Sequence, residues 1–449
     1  MILVLALAVL LCFGYFVYLL SRNVHLGWAC LLAAQFYEFS FGINQVQAGG
    51  LHLDIIDAVS FALLGAGILR TLPRLGEKNT ARMIGLAYLA VFAFSLFRGF
   101  IGNGITTASN EARAFVPMLV TILYFLTAPT DPKSIRTFLR LYFYYSFGLV
   151  IIAFLAYAGF HVGGTAWLHA EAGDTDTIED RLLPSAAAFG IGLCFLFSLA
   201  WSSHRYANTF VRWLPPLLLG TAVFLRHRSV WAALIVGTAS FLVTDTRLLR
   251  RFAIMAVFSI VVLLAFIGVT SLTTTWEHTD TISAAQSEFS DSASNEGTLD
   301  WRVQVWEGLL FGEGQTPLTV VAGKPFGDGY VQMVAQSGMW ATTPPHSEYL
   351  SEYARVGLLG TALAVWFVLH PFSGFLKRGG LGRLSAEPST SAWAALILSV
   401  VVYGVTYCWP WDTLALVGIS SAMLKRQSEE NEAHASEPAS LGHDMAAVA

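Results

Sequence analysis

The sequence predicts an all-α polytopic membrane protein with 12 or 13 transmembrane helices and one large, partly helical loop on the outer side. Three observations carry this. The 449 residues are 55% apolar and 12% charged, with a mean hydropathy of +0.59, whereas soluble domains carry about 25% charged residues. Apolar runs close to the ~20 residues that a helix needs to cross the hydrocarbon core recur along the chain. The connections between those runs alternate in charge.

Taken in order, the first run, MILVLALAVLLCFGYFVYLL, has no basic stretch before it and no small-residue cleavage site after it. It therefore predicts a retained helix rather than a cleaved signal. Further spans are expected at 26–42, 54–69, 83–97, 114–128, 141–160, 185–201, 213–225, 229–243, 252–270, 350–370, 392–408 and 411–424, the last of which also suits a re-entrant hairpin. Every second connection is basic. Arg22, Arg70/Arg74/Lys78/Arg82, Lys133/Arg136/Arg140, Arg205/Arg212, Arg247/Arg250/Arg251, Lys377/Arg378/Arg383 and Lys425/Arg426 hold 18 of the 26 Lys and Arg residues. The positive-inside rule assigns them to the cytoplasm.

The intervening connections are neutral or acidic and are expected outside. Residues 161–184 hold Glu171, Asp174, Asp176, Glu179 and Asp180 against Arg181. Residues 271–346 hold nine acids against Arg302 and Lys324, a net charge of −7. A loop of this length between spans points to function. The tail after Lys425 is acidic and almost free of large apolar residues, which predicts disorder. The chain thus divides into an N-terminal bundle of about ten helices (1–270), the outer loop (271–346), C-terminal transmembrane helices (347–424) and a cytoplasmic tail (425–449). Cys12, Cys30, Cys194 and Cys408 all fall in apolar runs without metal-ligand spacing. No metal site, cofactor or nucleic-acid partner is expected.

Eight cations remain on the outer side or near its interface: Arg98, Arg113, Arg181, Arg226, Arg228, Arg302, Lys324 and Arg355. Orientation does not require them. Arg226 and Arg228 flank His227 in FLRHRSVWAAL, a connection short enough to be a hairpin tip with no acid beside it in sequence. Guanidinium forks match phosphate oxygens and keep their charge, so a bound anion accounts for the pair; snorkelling to membrane lipids is the structural alternative. Arg302 lies in LDWRVQVWEGLLFGEG, where Trp301, Val305 and Trp306 mark a short amphipathic interfacial helix.

In TTPPHSEYLSEYARVGLLG (342–360), two prolines end the loop and bias the chain toward extended geometry before a helix starts. This places His346 in the first turn of that helix. Glu348, Glu352 and Arg355 follow as one polar stripe, with Glu352 and Arg355 spaced for an ion pair at i, i+3. An imidazole with an ordinary pKa of about 6.5 can take a proton at neutral pH.

LRHRSVWAALIVG (225–237), WRVQVWEGLL (301–310), GKPFGDGYVQ (323–332) and PHSEYLSEYARVGLLG (345–360) together resemble the O-antigen ligase and polymerase superfamily of bacterial polysaccharide assembly. Ser347 stands where that family often has asparagine, and Arg355 where an acid often precedes the glycine. The resemblance implies a polytopic helical enzyme with a large periplasmic loop in the bacterial inner membrane. The implied donor is an undecaprenyl-diphosphate-linked glycan, and the implied acceptor is another glycan or lipid A core. Carried over, it makes His346 the catalytic residue and matches Arg228 and Arg302, which suit the pyrophosphate; beside these, Arg226 is an auxiliary candidate for the pyrophosphate, and Glu348 and Glu352 are candidates for positioning the acceptor. It also implies a metal-independent inverting glycosyl transfer. A transporter of lipid-linked oligosaccharides or small solutes, or a non-catalytic scaffold of polysaccharide export, is the competing class. A transporter predicts ionisable residues near the bilayer midplane and paired halves, whereas the polar candidates here cluster at one face.

Overall fold

A computed structural model gives the fold and describes residues 2–41, 46–48, 51–77, 79–157, 183–202, 209–225, 227–244, 250, 253–254, 257, 298–312, 315–330, 332–334, 339–341, 344–377 and 388–436. Almost all of them are helical. The exceptions include two small antiparallel hairpins absent from the sequence expectation, β1 (Val46–Ala48) with β2 (Leu51–Leu53) and β3 (Gln332–Val334) with β4 (Met339–Ala341).

Helices α1 (Ile2–Arg22) and α2 (Val24–Phe41) meet at Asn23 with a bend of 117°. Helix α3 (Ile55–Thr71) starts at a capping box: the Asp54 carboxylate accepts from Asp57 N and the Asp57 carboxylate accepts from Asp54 N, each at 3.0 Å. Arg113 bridges both acids at 3.5 and 3.2 Å. Asn79 caps α4 (Thr80–Asn103) by accepting from Ala81 N and Arg82 N. Gly104, at φ 82°, then turns the chain into α5 (Ile105–Ala112). Helices α6 (Val116–Leu123), α7 (Pro132–Tyr157), α8 (Ser185–Ser202), α9 (Thr209–Phe224) and α10 (Arg228–Thr244) follow. The region expected to form the large loop supplies α11 (Thr298–Phe311) and α12 (Pro317–Ala322). Then come α13 (Glu348–Lys377), α14 (Pro388–Tyr403) and α15 (Trp411–Ser436).

Among the described residues, Ile55–Arg74, Thr80–Asn103, Pro132–Ala156, Ser185–Ser202 and Glu348–Gly374 are long and apolar enough to cross a membrane, and the bent α1–α2 pair adds a sixth if it forms one span. Arg228–Phe241, Ser391–Tyr403 and Trp411–Leu424 are shorter apolar helices. The polytopic all-α class holds, and the count of 12 or 13 is met only in part. The stretch expected as one span at 114–128 breaks into 3₁₀ turns on either side of α6, with Pro117 among the first α6 residues, where its missing N–H costs nothing. The 213–225 span lies in α9, with Pro215 and Pro216 inside the helix. Of the 252–270 span only 253–254 and 257 are described. At the other end, α15 runs past Lys425 to Ser436. The start of the tail expected to be disordered is therefore helical, in keeping with the high helix propensity of its Glu, Gln and Ala residues; residues 437–449 lie outside the described chain.

The core centres on α8, which is buried on nearly every face and apolar apart from Ser185, Ser198 and Ser202, as a helix enclosed by others should be. Helices α10 and α14 pack antiparallel and close. Ser399 Oγ donates to the Ala233 carbonyl at 3.0 Å, and a Cβ on Gly237 would stand 2.0 Å from Ser399 Oγ and 3.0 Å from the Ala395 carbonyl. This register brings the start of α10, with Arg228, to the same end of the bundle as Tyr403 at the end of α14.

Helix α13 is broken at Gly357, whose φ of 67° and ψ of −172° are not helical. A Cβ there would meet the Val321 carbonyl at 2.3 Å, and one on Gly323 (φ 76°) would meet the Arg355 carbonyl at 2.3 Å. Two backbones therefore cross where only glycines fit. Gly357→Ala is expected to destabilise the purified protein by at least about 1–3 kcal/mol, read as a lowered Tm. Gly14→Ala, in α1 with nothing within 4 Å of the new methyl, is the control and should leave Tm unchanged or raised. Equal Tm values for the two would mean that Gly357 does not fix the break.

Candidate functional site

A break in a helix frees carbonyls that would otherwise accept from the next turn. Here the Ala354 carbonyl accepts from Lys324 N at 2.8 Å, and the Arg355 carbonyl accepts from Ser95 Oγ at 2.5 Å. The break in α13 is thus bonded to residues 323–330 on one side and to α4 on the other. Arg98 Nη1 donates to the Gly323 carbonyl at 3.0 Å, and Asn103 Nδ2 to the Phe326 carbonyl at 2.9 Å and to Asp328 Oδ1 at 2.6 Å. Phe326 packs edge-on between Phe92 and Phe115, with ring centroids 5.2 Å apart in each case.

Arg355 closes this arrangement from inside. Its side chain is fully buried and paired with Glu111, and it donates to the Pro325 carbonyl at 3.3 Å and to the Gly329 carbonyl. The guanidinium also lies 4.5 Å from the Tyr330 ring centroid. Glu111 in turn accepts from Gly327 N. Burial pushes the Tyr330 phenol well above its ordinary range, and the neighbouring Arg355 charge opposes that shift without cancelling it. The FGDG glycines form a loop clamped by an ion pair, and the expected Glu352–Arg355 pair is not made. Glu352 instead sits with its two carboxylate oxygens 2.9 and 3.0 Å from the Tyr88 hydroxyl of α4. The two side chains leave the same helical turn toward different neighbours.

The chain around His346 is organised by the turn between α14 and α15. His346 precedes α13, which starts at Glu348; it is exposed and held at φ 48°. The expectation that it lies in the first helical turn is corrected accordingly. Ser347 O accepts from Ser351 N at 3.0 Å and so begins the helix, while Glu348 N donates to the Gly404 carbonyl at 2.9 Å. A non-glycine residue in the left-handed region persists only where its surroundings hold it there. The surroundings are visible on both flanks. The Pro345 carbonyl accepts from Trp306 Nε1 of α11 at 2.8 Å, and buried Glu348 accepts from Trp409 N at 2.9 Å.

Arg302, also on α11, reaches the same turn. Its Nη1 lies 3.5 Å from the Thr406 carbonyl and its guanidinium 5.4 Å from the Tyr407 ring centroid. Arg302 and Glu348 thus converge on residues 404–409, and His346 lies two residues before Glu348 on the chain that Glu348 anchors there. Arg228 is exposed at the start of α10, at this end of the bundle by the α10–α14 register. Its neighbour His227 is buried, with Nε2 2.9 Å from the Leu183 carbonyl. Arg226 lies outside the described residues. Glu352 and Arg355 sit one and two turns further along α13.

Sequence reasoning missed Tyr88, Ser95 and Glu111, which hold the loop and α13 from α4 and α5. No local signal marks them, because their partners are more than 200 residues away in sequence. It also missed Asp412, in α15 just after the turn. This fully buried carboxylate accepts from Gln35 Nε2 at 3.0 Å and lies 3.0 Å from the Tyr142 hydroxyl. An acid inside the apolar run WPWDTLALVG was a readable signal. Among the described residues, no three His, Cys, Asp or Glu side chains are placed to hold a metal ion.

Residues 216–365 match the family described as O-antigen ligase. The match runs from within α9 to within α13 and includes Arg228, Arg302, His346, Glu348, Glu352 and Arg355; it excludes the 404–409 turn, Tyr88 and Glu111. No curated protein matches the chain. The partial match and the polytopic helical architecture are consistent with the O-antigen ligase and polymerase superfamily as a whole.

The Arg355–Glu111 pair predicts strong coupling. Glu111→Ala leaves a buried guanidinium without its counter-charge, which costs about 3–5 kcal/mol. Arg355→Ala should cost a comparable amount. The double variant should be destabilised by at least ~1 kcal/mol less than the sum of the singles, measured by thermal melting or pulse proteolysis. Additive losses would show that the pair does not hold the loop.

Proposed function

We propose that the protein is a membrane glycosyltransferase of bacterial cell-surface polysaccharide assembly, acting at the outer face of the inner membrane. In this reading the donor is an undecaprenyl-diphosphate-linked glycan and the acceptor is a sugar hydroxyl of either lipid A core or a second lipid-linked repeat. The observation that carries the proposal is the convergence of Arg302 and Glu348 on the 404–409 turn, with His346 two residues before Glu348, within a chain whose residues 216–365 match the O-antigen ligase family.

His346 would take the proton of the acceptor hydroxyl as its oxygen bonds to the anomeric carbon. The bond from that carbon to the phosphate oxygen breaks, and undecaprenyl diphosphate leaves with the bonding pair. Attack opposite the leaving group inverts the anomeric centre. The charge on the departing diphosphate falls to Arg302 and Arg228, with Arg226 in support. Arg302 suits this role because its bond to the Thr406 carbonyl is long and its plane rests on Tyr407, which leaves donors of the guanidinium fork without partners among the described residues. Glu348, anchored by Trp409 N, would hold the chain that carries His346 and line the acceptor side. Glu352 is bonded to Tyr88 and would support the helix from below rather than touch the acceptor.

The transporter reading gains one favouring observation, the buried Asp412. Both of its oxygens have hydrogen-bond partners in Gln35 and Tyr142, and it stands immediately after the turn that Arg302 and Glu348 share. This placement suits a support beneath the site better than a relay at the midplane.

The test is transfer by purified, reconstituted protein given a lipid-linked oligosaccharide with or without a lipid A core acceptor, with products resolved as a mass ladder. His346→Ala and Arg228→Ala are expected to lower transfer by at least about 100-fold while insertion and Tm are retained. Elongation without core identifies a polymerase, and transfer only with core a ligase. Normal product from either variant would sink the assignment.

A further inference from the structure

The strongest feature outside this site lies at the other end of the bundle. A cavity of about 430 Å³ opens between the α1–α2 bend, the end of α3, the start of α4 and residues 126–130. Arg22, Arg70, Arg74 and Arg82 line it, together with His25. Arg70 is fixed in the wall: its Nε donates to Thr127 Oγ1, Nη1 to the Ser21 carbonyl and Nη2 to the Thr127 carbonyl, each at 2.7 Å. All three acceptors are neutral, so the charge of Arg70 is held in place without being cancelled. Arg82 is 3% exposed and is paired with Glu77 at 3.2 Å.

Arg22 and Arg74 are exposed, and among the described residues neither guanidinium has an acidic partner. Asp131, which acts on His25 through space, has Oδ1 occupied by the Lys133 and Ser134 backbone N–H groups at 3.0 Å. His25 Nε2 lies 3.2 Å from Ser134 Oγ, and its buried Nδ1 has no partner among the described residues.

The lining therefore gathers four guanidinium charges, and among the described residues the carboxylates beside it are two, Glu77 paired with Arg82 and Asp131 near His25. Like charges around one concavity repel unless an anion lies between them. Snorkelling places arginines along a rim facing the headgroups and gives no reason for them to enclose a volume. Guanidinium groups bind phosphate oxygens through paired donors, and basic pockets between transmembrane helices are a recurrent form of headgroup site.

We propose that this cavity binds a phosphate-bearing anion. Arg22 and Arg74 are the ligating pair, and Arg70 is a fixed positive charge in the wall. The same chemistry is presented by the headgroup of an anionic phospholipid and by a free phosphate compound. The site is independent of the glycosyl-transfer reading, and its failure would leave that reading untouched.

The test uses the full-length protein in detergent. In one arm, phosphatidylglycerol and cardiolipin are titrated against phosphatidylcholine, and retained lipid is counted by native mass spectrometry. In the other arm, inorganic phosphate and pyrophosphate are titrated calorimetrically. Two variants are compared with the wild type: Arg22→Gln with Arg74→Gln, which removes the ligating pair, and Thr130→Glu, which adds a carboxylate to the lining. Selective retention of anionic lipid, weakened at least tenfold in either folded variant and with free phosphate inert, would identify a headgroup site. Saturable phosphate or pyrophosphate binding with the same loss would identify a soluble ligand. Binding that is absent, or that is equal in the wild type and a folded variant, would overturn the proposal.

Discussion

The structure around the candidate site depends on one backbone crossing. Gly323 and Gly357 let residues 321–323 and 355–357 approach within distances that a Cβ would forbid, and the crossing breaks α13. Carbonyls freed in the middle of an apolar bundle would each cost several kcal/mol if left bare. Lys324 N and Ser95 Oγ bond two of them. The break is thereby converted into a junction at which the loop, α4 and α13 are mutually fixed. Everything N-terminal to the junction on α13, from Glu348 to Arg355, is held at an angle that an unbroken helix could not take.

Charge is handled differently on the two sides of that junction. Arg355 is buried, and its cost is met by Glu111 and by loop carbonyls, so it acts as a clamp rather than as a donor to a ligand. The carboxylate that pairs with it comes from α5, outside the matched residues. Arg302 has the opposite character. It is only partly buried and rests on an aromatic ring with one long bond to a carbonyl. An arginine whose donors are committed to structure and one whose donors remain available look alike in sequence, and here they fall within the same matched segment.

That likeness marks how far the sequence could be read. Hydropathy identified most helices because burial in a bundle and residence in a membrane both demand apolar runs; it read 114–128 as one span because the 3₁₀ turns that flank α6 are as apolar as the helix itself. The prolines before His346 correctly announced a helix start, but the positive φ at His346 could not be read, because it is imposed by Trp306 and by the Gly404 carbonyl, 40 and 58 residues away. The i, i+3 spacing of Glu352 and Arg355 suggested a pair because spacing measures proximity along one helix only. Tyr88 and Glu111 were nearer in space and took one partner each.

Helix α4 connects the two polar regions of the molecule. Its first turn carries Arg82 in the arginine-lined cavity, and its last residue, Asn103, bonds the 323–330 loop. The two positions are separated by about 31 Å of helix at 1.5 Å per residue, close to the thickness of a hydrocarbon core. A helix of that length, capped by Asn79 at one end and turned by Gly104 at the other, sets the distance between the ends. Tyr88 and Ser95, between them, bond α13 on the side of the helix that faces it. The same rigid element thus fixes the height of the broken helix and the separation of the cationic cavity from the His346 end. A change in the length of α4 by a single residue would rotate Tyr88 and Ser95 by about 100° relative to one of its ends, and the two regions could not both keep their contacts.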